Sequence, residues 1–187
     1  MDLRKKVFLG LLSAMAFLLM FLIEFPIPPF PPFLKYDPGD VPALFATLAM
    51  GPLAGSIVQL VKAVLFFLSG KSTAGIVGVT ANFVTGVSLV LGFGWAYRAM
   101  AKARLGIRFG VACLCGAISM TFLMALGNYF IFLPLWGVTQ DQLLEFVLTI
   151  TVPFNLVKAI ITTIISWVLY AALISRASVR SFFLREL

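Results

Sequence analysis

Long apolar runs, interrupted by short stretches rich in proline, glycine or charge, restrict the fold of this chain more than any other feature. The first run covers residues 7–23 and is long enough, with its flanks, to cross a bilayer. Hydrophobic residues make up 61% of the 187 residues and charged residues 11%, with a mean hydropathy of +1.08. A water-soluble surface cannot be built from so few charges. We therefore expect one integral membrane domain over residues 1–187, with no soluble domain.

A spanning length of about 20 residues divides the chain into six predicted transmembrane helices, which makes it an all-α membrane protein. The second helix is short and meets the third at Gly51-Pro52, so the pair is predicted as either a tight helical hairpin or one long segment broken in the middle. We expect the first helix to be retained and not cleaved as a signal peptide, and residues 141–150 to form a short interfacial helix. The predicted bounds are 5–24, 41–51, 53–69, 74–100, 108–134 and 152–176.

Lysine and arginine residues cluster on one side of this arrangement, which predicts its orientation. Only Lys35 and Lys71 fall in the opposite loops. Both termini are therefore expected in the cytoplasm, and topology explains the net charge of +7 better than nucleic-acid binding does. The basic residues that precede the first helix, join the fourth to the fifth and follow the last are Arg4, Lys5, Lys6, Arg98, Lys102, Arg104, Arg108, Arg176, Arg180 and Arg185.

A proline-rich stretch, residues 24–44, links the first two helices and is expected on the outer side. Its prolines favour stiff extended backbone, while Phe25, Ile27, Phe30, Phe33 and Leu34 give it an apolar face. The sequence "DPGD" at residues 37–40 is typical of a turn and places a capping carboxylate ahead of the second helix. Two interpretations are open at this point: a stiff lid over an outward-facing cavity, or a loop that lies on the membrane surface.

Polar residues inside the predicted spans are few, and each is costly in hydrocarbon unless it has a partner or a function. Glu24 lies at a helix end and is interpreted as an interfacial carboxylate. Gln59 and Lys62 share one helix face, and Lys62 either pairs with a loop aspartate or reaches a cavity. The full set is Glu24, Gln59, Lys62, Asn82, Asn128, Asn155 and Lys158.

The sharpest candidate site combines Asn128 with Asn155 and Lys158. Asn155 and Lys158 lie at i and i+3 early in the sixth helix, so they share one helix face. Asn128 lies late in the fifth helix, so all three are expected at the same depth near the outer side of the membrane. Two carboxamides and an ammonium suit the edge of a neutral, imide-bearing heterocycle, and Tyr129 and Phe154 are near enough to supply apolar walls. The competing interpretation is that the asparagines bond between helices and that Lys158 extends to the interface.

Several enzyme and metal classes are disfavoured. The chain has no histidine, which excludes imidazole catalysis and histidine-ligated metals. The sequence "SGKST" at residues 69–73 resembles part of a Walker A loop, but Leu65 stands where that motif needs glycine. Cys113 and Cys115 fall on different helix faces and are expected to be packing residues. The lack of histidine and the cysteine spacing lead us to expect no metal site. No nucleophile with a base is recognisable, so we expect no enzyme.

Three stretches of the chain look familiar: "FPIPPFPPFLKYDPGDVPALFATLAMGPLAGSIVQLVK" at residues 25–62, "ANFVTG" at 81–86 and "NLVK" at 155–158. They resemble one family, the riboflavin-specific substrate-binding (S) components of energy-coupling factor (ECF) transporters. The resemblance implies a receptor in the bacterial plasma membrane that captures riboflavin outside and delivers it inward on docking with a transmembrane coupling (T) component and two ATPases. Riboflavin is then cargo and no cofactor is implied. Whether flavin mononucleotide or flavin analogues also bind is left open.

The resemblance also implies roles for individual residues. In the family, asparagines and a lysine of the last two helices contact the flavin ring, the first loop closes over it, and small residues of the first helix dock on the T component. The residues implied here are, for binding, Asn128, Asn155, Lys158, Leu34, Tyr36 and Asp40 and, for docking, Gly10, Ser13 and Ala14.

Two other functions are retained as alternatives. An S component for another vitamin would be distinguished by the ligand that co-purifies with it. A stand-alone channel or ion-coupled carrier, with Glu24 or Lys62 as its titrating group, would transport its substrate without ATPases.

Overall fold

The computed structural model describes residues 3–174 and shows a helical bundle with a small two-stranded ribbon at one end. The predicted all-helical fold is therefore confirmed apart from this ribbon. Residues 175 and 176 of the last predicted helix, and Arg176, Arg180 and Arg185, lie outside the described residues. In chain order the elements are α1 (Leu3–Leu22), β1 (Phe25–Pro26), β2 (Lys35–Tyr36), α2 (Asp40–Met50), α3 (Pro52–Leu68), α4 (Gly75–Ala99), α5 (Leu105–Gly127), a π-helical turn (Asn128–Phe132), α6 (Leu133–Leu135), α7 (Gln140–Phe146), a second π-helical turn (Val147–Thr151) and α8 (Val152–Ile174).

Four helices of the described chain are long and apolar enough to cross a membrane. They are Leu3–Leu22, Gly75–Ala99, Leu105–Leu135 and Gln140–Ala172. The other two predicted spans are shorter, with 11 residues in α2 and 17 in α3. At a rise of 1.5 Å per residue α2 is about 17 Å long, well short of a hydrocarbon core of about 30 Å. The sequence thus locates all six apolar segments, but only four of them have the full spanning length.

Helices α2 and α3 form an antiparallel hairpin, which resolves one of the two alternatives left open by the sequence. The chain turns at Gly51, whose φ of 98° lies in the left-handed region that favours glycine. The two helices then approach so closely that a Cβ on Gly55 would lie 2.0 Å from Thr47 Oγ1. At the far end of the hairpin, Gln59 Nε2 donates to Asp40 Oδ1 at 2.9 Å.

Residues 141–150 do not form the separate interfacial helix that the sequence predicts. They belong to one continuous helix, Gln140–Ala172, in which α7 passes into α8 through a π-helical turn. Proline lacks an N–H and its ring crowds the preceding turn, and a wider turn accommodates this without ending the helix. Pro153 follows the second π-helical turn in this way, and Pro134 follows the first.

The proline-rich loop between α1 and α2 packs against the bundle. Strands β1 and β2 pair antiparallel, with Phe25 opposite Tyr36, and so close the base of the loop. Near its tip, the ring of Phe30 meets that of Phe154 edge-on at 5.4 Å, and Phe33 lies 5.6 Å from Trp136. We call the end of the bundle under this loop the loop end.

The opposite end of the bundle is closed by stacked aromatic rings. Phe93 and Tyr97 stack at 5.8 Å, and Phe109 meets Phe93 edge-on at 5.2 Å. The guanidinium of Arg108 lies 3.7 Å from the centre of the Tyr97 ring, and its Nε donates to the Tyr97 carbonyl at 2.7 Å. The Tyr97 and Tyr170 hydroxyls are 3.2 Å apart. This end therefore combines a buried cation with aromatic faces and a carbonyl oxygen.

Candidate functional site

A cavity lies at the loop end, between the proline-rich loop and the helices. Its empty volume is about 770 Å³, a figure that includes open solvent at the mouth. Residues from the loop and from most of the long helices line it. They are Met20, Glu24, Phe33, Leu34, Lys35, Asp37, Phe66, Ser72, Thr73, Ala74, Gly78, Val79, Ala81, Asn82, Thr85, Met124, Asn128, Trp136, Phe154, Asn155 and Lys158.

The structure brings most of the predicted binding residues together at this cavity. Asn128, Asn155, Lys158 and Leu34 line it, although they come from three separate parts of the chain. Tyr36 and Asp40 are not among the lining residues. Tyr36 is 3% and Asp40 0% exposed, so both lie behind the cavity wall.

Asn128 and Asn155 are held by their own helices and do not join the helix pair. Asn128 Nδ2 donates to the carbonyl of Met124, and Asn155 Nδ2 donates to that of Thr151, each at 2.8 Å. Asn128 begins one π-helical turn and Thr151 ends the other, so both side chains are positioned by local widening of a helix. A carboxamide has two N–H donors and an acceptor oxygen. Each asparagine therefore keeps hydrogen-bonding capacity for a molecule in the cavity.

Lys158 does not extend to the interface, because it is buried in a network of four charges. Its Nζ lies 3.1 Å from Asp37 Oδ2 and 3.4 Å from Asp40 Oδ2. Lys62 Nζ lies 2.6 Å from Asp40 Oδ1 and 3.6 Å from Asp37 Oδ1. Each ammonium thus faces both carboxylates, and we call these four residues the charge square. The square has no net charge, and all four side chains are at most 2% exposed.

The square answers the question that the sequence left open about Lys62, since this residue pairs with loop-side aspartates and does not line the cavity. Neutral groups also donate hydrogen bonds to Asp37. Asn82 Nδ2 donates to Asp37 Oδ2 at 3.1 Å, and the Gly39 amide donates to Asp37 Oδ1 at 3.1 Å. A Cβ on Gly39 would lie 2.6 Å from the Ala16 carbonyl oxygen, so only glycine lets the turn sit this deep.

Charge balance explains how two carboxylates tolerate this position. Burial alone would raise the pKa of the Asp37 carboxyl, but the ammonium groups of Lys158 and Lys62 hold that pKa below its ordinary value. An isolated buried charge costs several kcal/mol, whereas alternating charges with hydrogen bonds recover much of that cost. Asp37 therefore stays ionised, and the square ties the loop to α3 and α8.

A second ion pair lies at the mouth of the cavity. Lys35 Nζ donates to Glu24 Oε1 at 2.7 Å and lies 3.4 Å from Thr73 Oγ1. The Lys35 side chain is 25% exposed and that of Glu24 is 11% exposed, so water screens this pair more than the square. Glu24 lies at a helix end, as the sequence predicts, but it has a specific partner there.

Several buried polar atoms at the loop end have no hydrogen-bond partner within the described residues. They include Asn82 Oδ1 and Gln59 Oε1. Buried polar groups are normally satisfied. Asn82 lines the cavity, so its free oxygen can accept a hydrogen bond from a molecule bound there.

Sequence reasoning missed Asp37 and gave Asn82 no role. A signal for Asp37 existed, because two lysines inside apolar helices require nearby carboxylates and the chain has only seven acidic residues. Thr85 and Trp136 also line the cavity, and neither stood out from the apolar sequence around it.

The small residues of α1 divide between two faces. Gly10 and Ala14 are exposed on the outside of the bundle, next to Leu11 and Met15, which are 60% and 51% exposed. Ser13 is only 4% exposed and donates to the Leu9 carbonyl at 2.8 Å. Gly10 and Ala14 thus form a flat patch on the outer face of α1, because neither has a bulky side chain. Ser13 points into the bundle.

Comparison with known proteins identifies the family. A family model described as "ECF transporter, substrate-specific component" matches residues 4–170 of this chain. The chain belongs to this family. It is a substrate-specific component of a membrane transporter and not an enzyme.

Individual relatives support the same assignment. The chain is 36% identical over 173 residues to the riboflavin transporter FmnP of Bacillus subtilis, with 88% of this chain and 89% of FmnP aligned. It is 37% identical over 176 residues to the riboflavin transporter RibU of Staphylococcus aureus, with 91% and 90% aligned. A solved structure of the S component of a bacterial ECF transporter superposes with a TM-score of 0.80 at 36% identity, covering 92% of this chain and 96% of the other.

Proposed function

We propose that this chain is the riboflavin-binding S component of an ECF-type vitamin uptake transporter. The observation that carries the proposal is the cavity itself. Asn128 and Asn155 face it with unused donors and acceptors, and Lys158 reaches its wall from a charge-balanced network. The relatives named as riboflavin transporters support riboflavin as the cargo.

The chemistry of riboflavin suits these groups. One edge of its ring system presents two carbonyl oxygens and an N–H, which paired carboxamides and an ammonium can satisfy together. The flat ring needs apolar and aromatic walls, and Trp136, Phe33 and Phe154 provide them around the cavity. The ligand is cargo, so the proposed function requires no cofactor.

The proposed topology has six membrane crossings in a single membrane unit, with both termini in the cytoplasm and the proline-rich loop outside. Arg98 lies in the last turn of α4, Lys102 and Arg104 in the connection to α5, and Arg108 in the first turn of α5. All four are at the end away from the loop, as expected from the excess of basic residues in cytoplasmic loops. The α2–α3 hairpin supplies the two short crossings, with its turn at Gly51 next to Arg98, at the end away from the loop. The protein would reside in a bacterial plasma membrane.

Delivery of riboflavin would require a T component and two ATPases, because the chain has no nucleotide-binding motif of its own. The exposed Gly10 and Ala14 surface of α1 is the proposed docking face, since small residues let a second helix approach closely.

Replacement of Ala14 by leucine tests this docking face. Ala14→Leu should abolish riboflavin uptake in cells that carry the complete transporter, while binding by the purified subunit stays within about twofold of wild type. Leu18→Ala, which changes an exposed residue one turn further along α1, is the control and should transport normally. Normal uptake by Ala14→Leu would place the docking face elsewhere.

Quenching of riboflavin fluorescence tests the function directly. The protein is purified in detergent, stripped of ligand and titrated with riboflavin, with thiamin and biotin as controls. The proposal predicts saturable quenching that neither control vitamin competes away. If protein that is monodisperse and helical does not quench riboflavin fluorescence, riboflavin is not the cargo.

A second experiment separates the subunit from a stand-alone carrier. Liposomes that contain this chain alone should bind riboflavin without accumulating it. Accumulation without ATPases would instead favour an ion-coupled mechanism.

A further inference from the structure

The charge square divides its charges between the loop side and the bundle side. Both carboxylates lie around the turn that ends the proline-rich loop, with Asp37 in the loop and Asp40 as the first residue of α2. Both ammonium groups come from the interior of bundle helices, Lys62 from α3 and Lys158 from α8. Any movement that lifts the loop turn away from the bundle must therefore separate opposite charges.

The two lysines occupy different places relative to the cavity. Lys158 lines it, whereas Lys62 is completely buried behind the carboxylates and does not. Lys62 nevertheless makes the shorter contact, at 2.6 Å to Asp40, and also faces Asp37. Lys62 can therefore influence a ligand only through the carboxylates and through Lys158, which those carboxylates hold.

We propose that Lys62 is a positioning residue of the binding site, which acts through Asp37 and Asp40 to fix the Lys158 ammonium at the cavity wall and to hold the loop closed over a bound ligand. This inference rests on the proposed function. It assigns a role in ligand retention to a lysine that cannot touch the ligand.

Charge balance provides the physical reason. Removing the Lys62 ammonium leaves two carboxylates facing one ammonium, so Lys158 is drawn toward them and away from the cavity. The unbalanced carboxylate also favours outward movement of the loop, where water can solvate it. Both effects act after the ligand has bound, so they change its rate of release more than its rate of entry.

The test compares riboflavin association and dissociation rates in the purified subunit, followed by fluorescence. Lys62→Met, which removes the charge but keeps most of the volume, should release riboflavin about tenfold faster, with an association rate within about twofold of wild type. Lys102→Met is the matched control, because Lys102 is exposed between α4 and α5 at the other end of the bundle. An unchanged dissociation rate in Lys62→Met would overturn the proposal.

Two double variants separate positioning from a general loss of structure. Lys62→Met combined with Asp40→Asn restores neutrality, and we expect its dissociation rate to return most of the way to wild type. In a Lys158→Ala background, Lys62→Met should accelerate release by a smaller factor than it does in the wild type, because only its effect on the loop remains. If Lys62→Met accelerates release by the same factor with and without Lys158, Lys62 does not act through Lys158 and the proposal fails.

Asp37→Asn provides a second route if Lys62→Met does not fold. It keeps the side-chain shape while unbalancing the square, and it must also accelerate release. Release at the wild-type rate by Asp37→Asn would overturn the proposal. The control for this change is Asp141→Asn, at an exposed aspartate of α7.

Hydrogen exchange of the ligand-free protein gives a readout that does not depend on riboflavin. Backbone amides of residues 24–40 should exchange faster in Lys62→Met than in wild type, while those of α5 should not. If wild type fails to bind riboflavin, the proposed function fails, and this exchange experiment still decides whether Lys62 holds the loop. Equal exchange in the loop would contradict that role.

Discussion

The two ends of the bundle bury polar groups in different ways. At the end opposite the loop, the Arg108 guanidinium is satisfied by the Tyr97 carbonyl and ring, and aromatic side chains fill the space around it. At the loop end, four buried charges neutralise one another beside a cavity, and atoms such as Asn82 Oδ1 and Gln59 Oε1 have no partner among the described residues. One end is packed for stability, while the other retains hydrogen-bonding capacity.

This difference indicates that the loop end gives up some folding stability in order to bind a ligand. Unsatisfied buried polar groups destabilise a protein by about 1–3 kcal/mol each. The unsatisfied atoms keep hydrogen-bonding capacity for a ligand, so mutations at the loop end should change ligand binding as well as stability. The opposite end should respond mainly in stability.

The largest expected effect is that of Lys158→Ala. It removes the ammonium at the cavity wall and leaves the square with an unbalanced carboxylate, so riboflavin affinity should fall by about 100-fold and thermal stability should also decrease. Equilibrium titration and thermal unfolding measure the two effects. Lys102→Ala, at an exposed lysine near the opposite end, should change neither. Full affinity in Lys158→Ala would remove this lysine from the site.

Asn128→Ala and Asn155→Ala should each weaken riboflavin binding by about tenfold, because each removes one or two hydrogen bonds to the ligand. The same titration measures this. Unfolding temperatures should change little, because within residues 3–174 each side chain bonds only to the backbone of its own helix. Thr149→Ala is the matched control, since Thr149 makes the same kind of bond to the Glu145 carbonyl on an exposed face. Wild-type affinity in both asparagine variants would move the site elsewhere.

Gly86→Ala should have a smaller effect that reaches the loop end indirectly. A Cβ at this position would lie 2.3–2.5 Å from the side-chain amide atoms of Gln59, which must then move and weaken its bond to Asp40. We expect a lower unfolding temperature and a two- to fivefold loss of affinity, on the order of 0.5–1 kcal/mol. Gly110→Ala is the control, because a Cβ there meets nothing within 4 Å. Equal behaviour of the two variants would show that Gln59 does not support the square.

Tyr97→Phe should have the smallest effect, and only on stability. The variant loses the contact between the Tyr97 and Tyr170 hydroxyls but keeps the ring against Arg108. We expect a loss of about 0.5–1.5 kcal/mol in the free energy of unfolding and unchanged riboflavin affinity. A clear loss of affinity would mean that the two ends are coupled through the bundle and would contradict their separation.

Much of the fold could be predicted from the sequence because apolar runs and proline or glycine breaks are local signals. The predicted bounds of α1 to α4 lie within two residues of those observed. Continuity from Gln140 into α8 was missed, because Pro153 suggested a boundary that a π-helical turn instead absorbs. The shortness of α2 was predicted correctly, since the predicted span 41–51 has the same length of 11 residues as the observed helix.

The candidate site could be predicted only in part. Asn128, Asn155 and Lys158 stood out because polar groups are costly in apolar helices, and all three line the cavity. Asp37 was missed because it lies in a turn, where an aspartate needs no explanation. Its partner Lys158 is 121 residues away, and only the folded chain brings them together.

A crystal structure of the riboflavin-loaded protein is the most direct test of the central claim that the loop-end cavity is the binding site. We predict that the flavin ring lies between the loop and the helices, with its carbonyl-bearing edge about 3 Å from Asn128 and Asn155 and with the charge square intact. Riboflavin bound anywhere else, with the cavity collapsed or empty, would contradict the account.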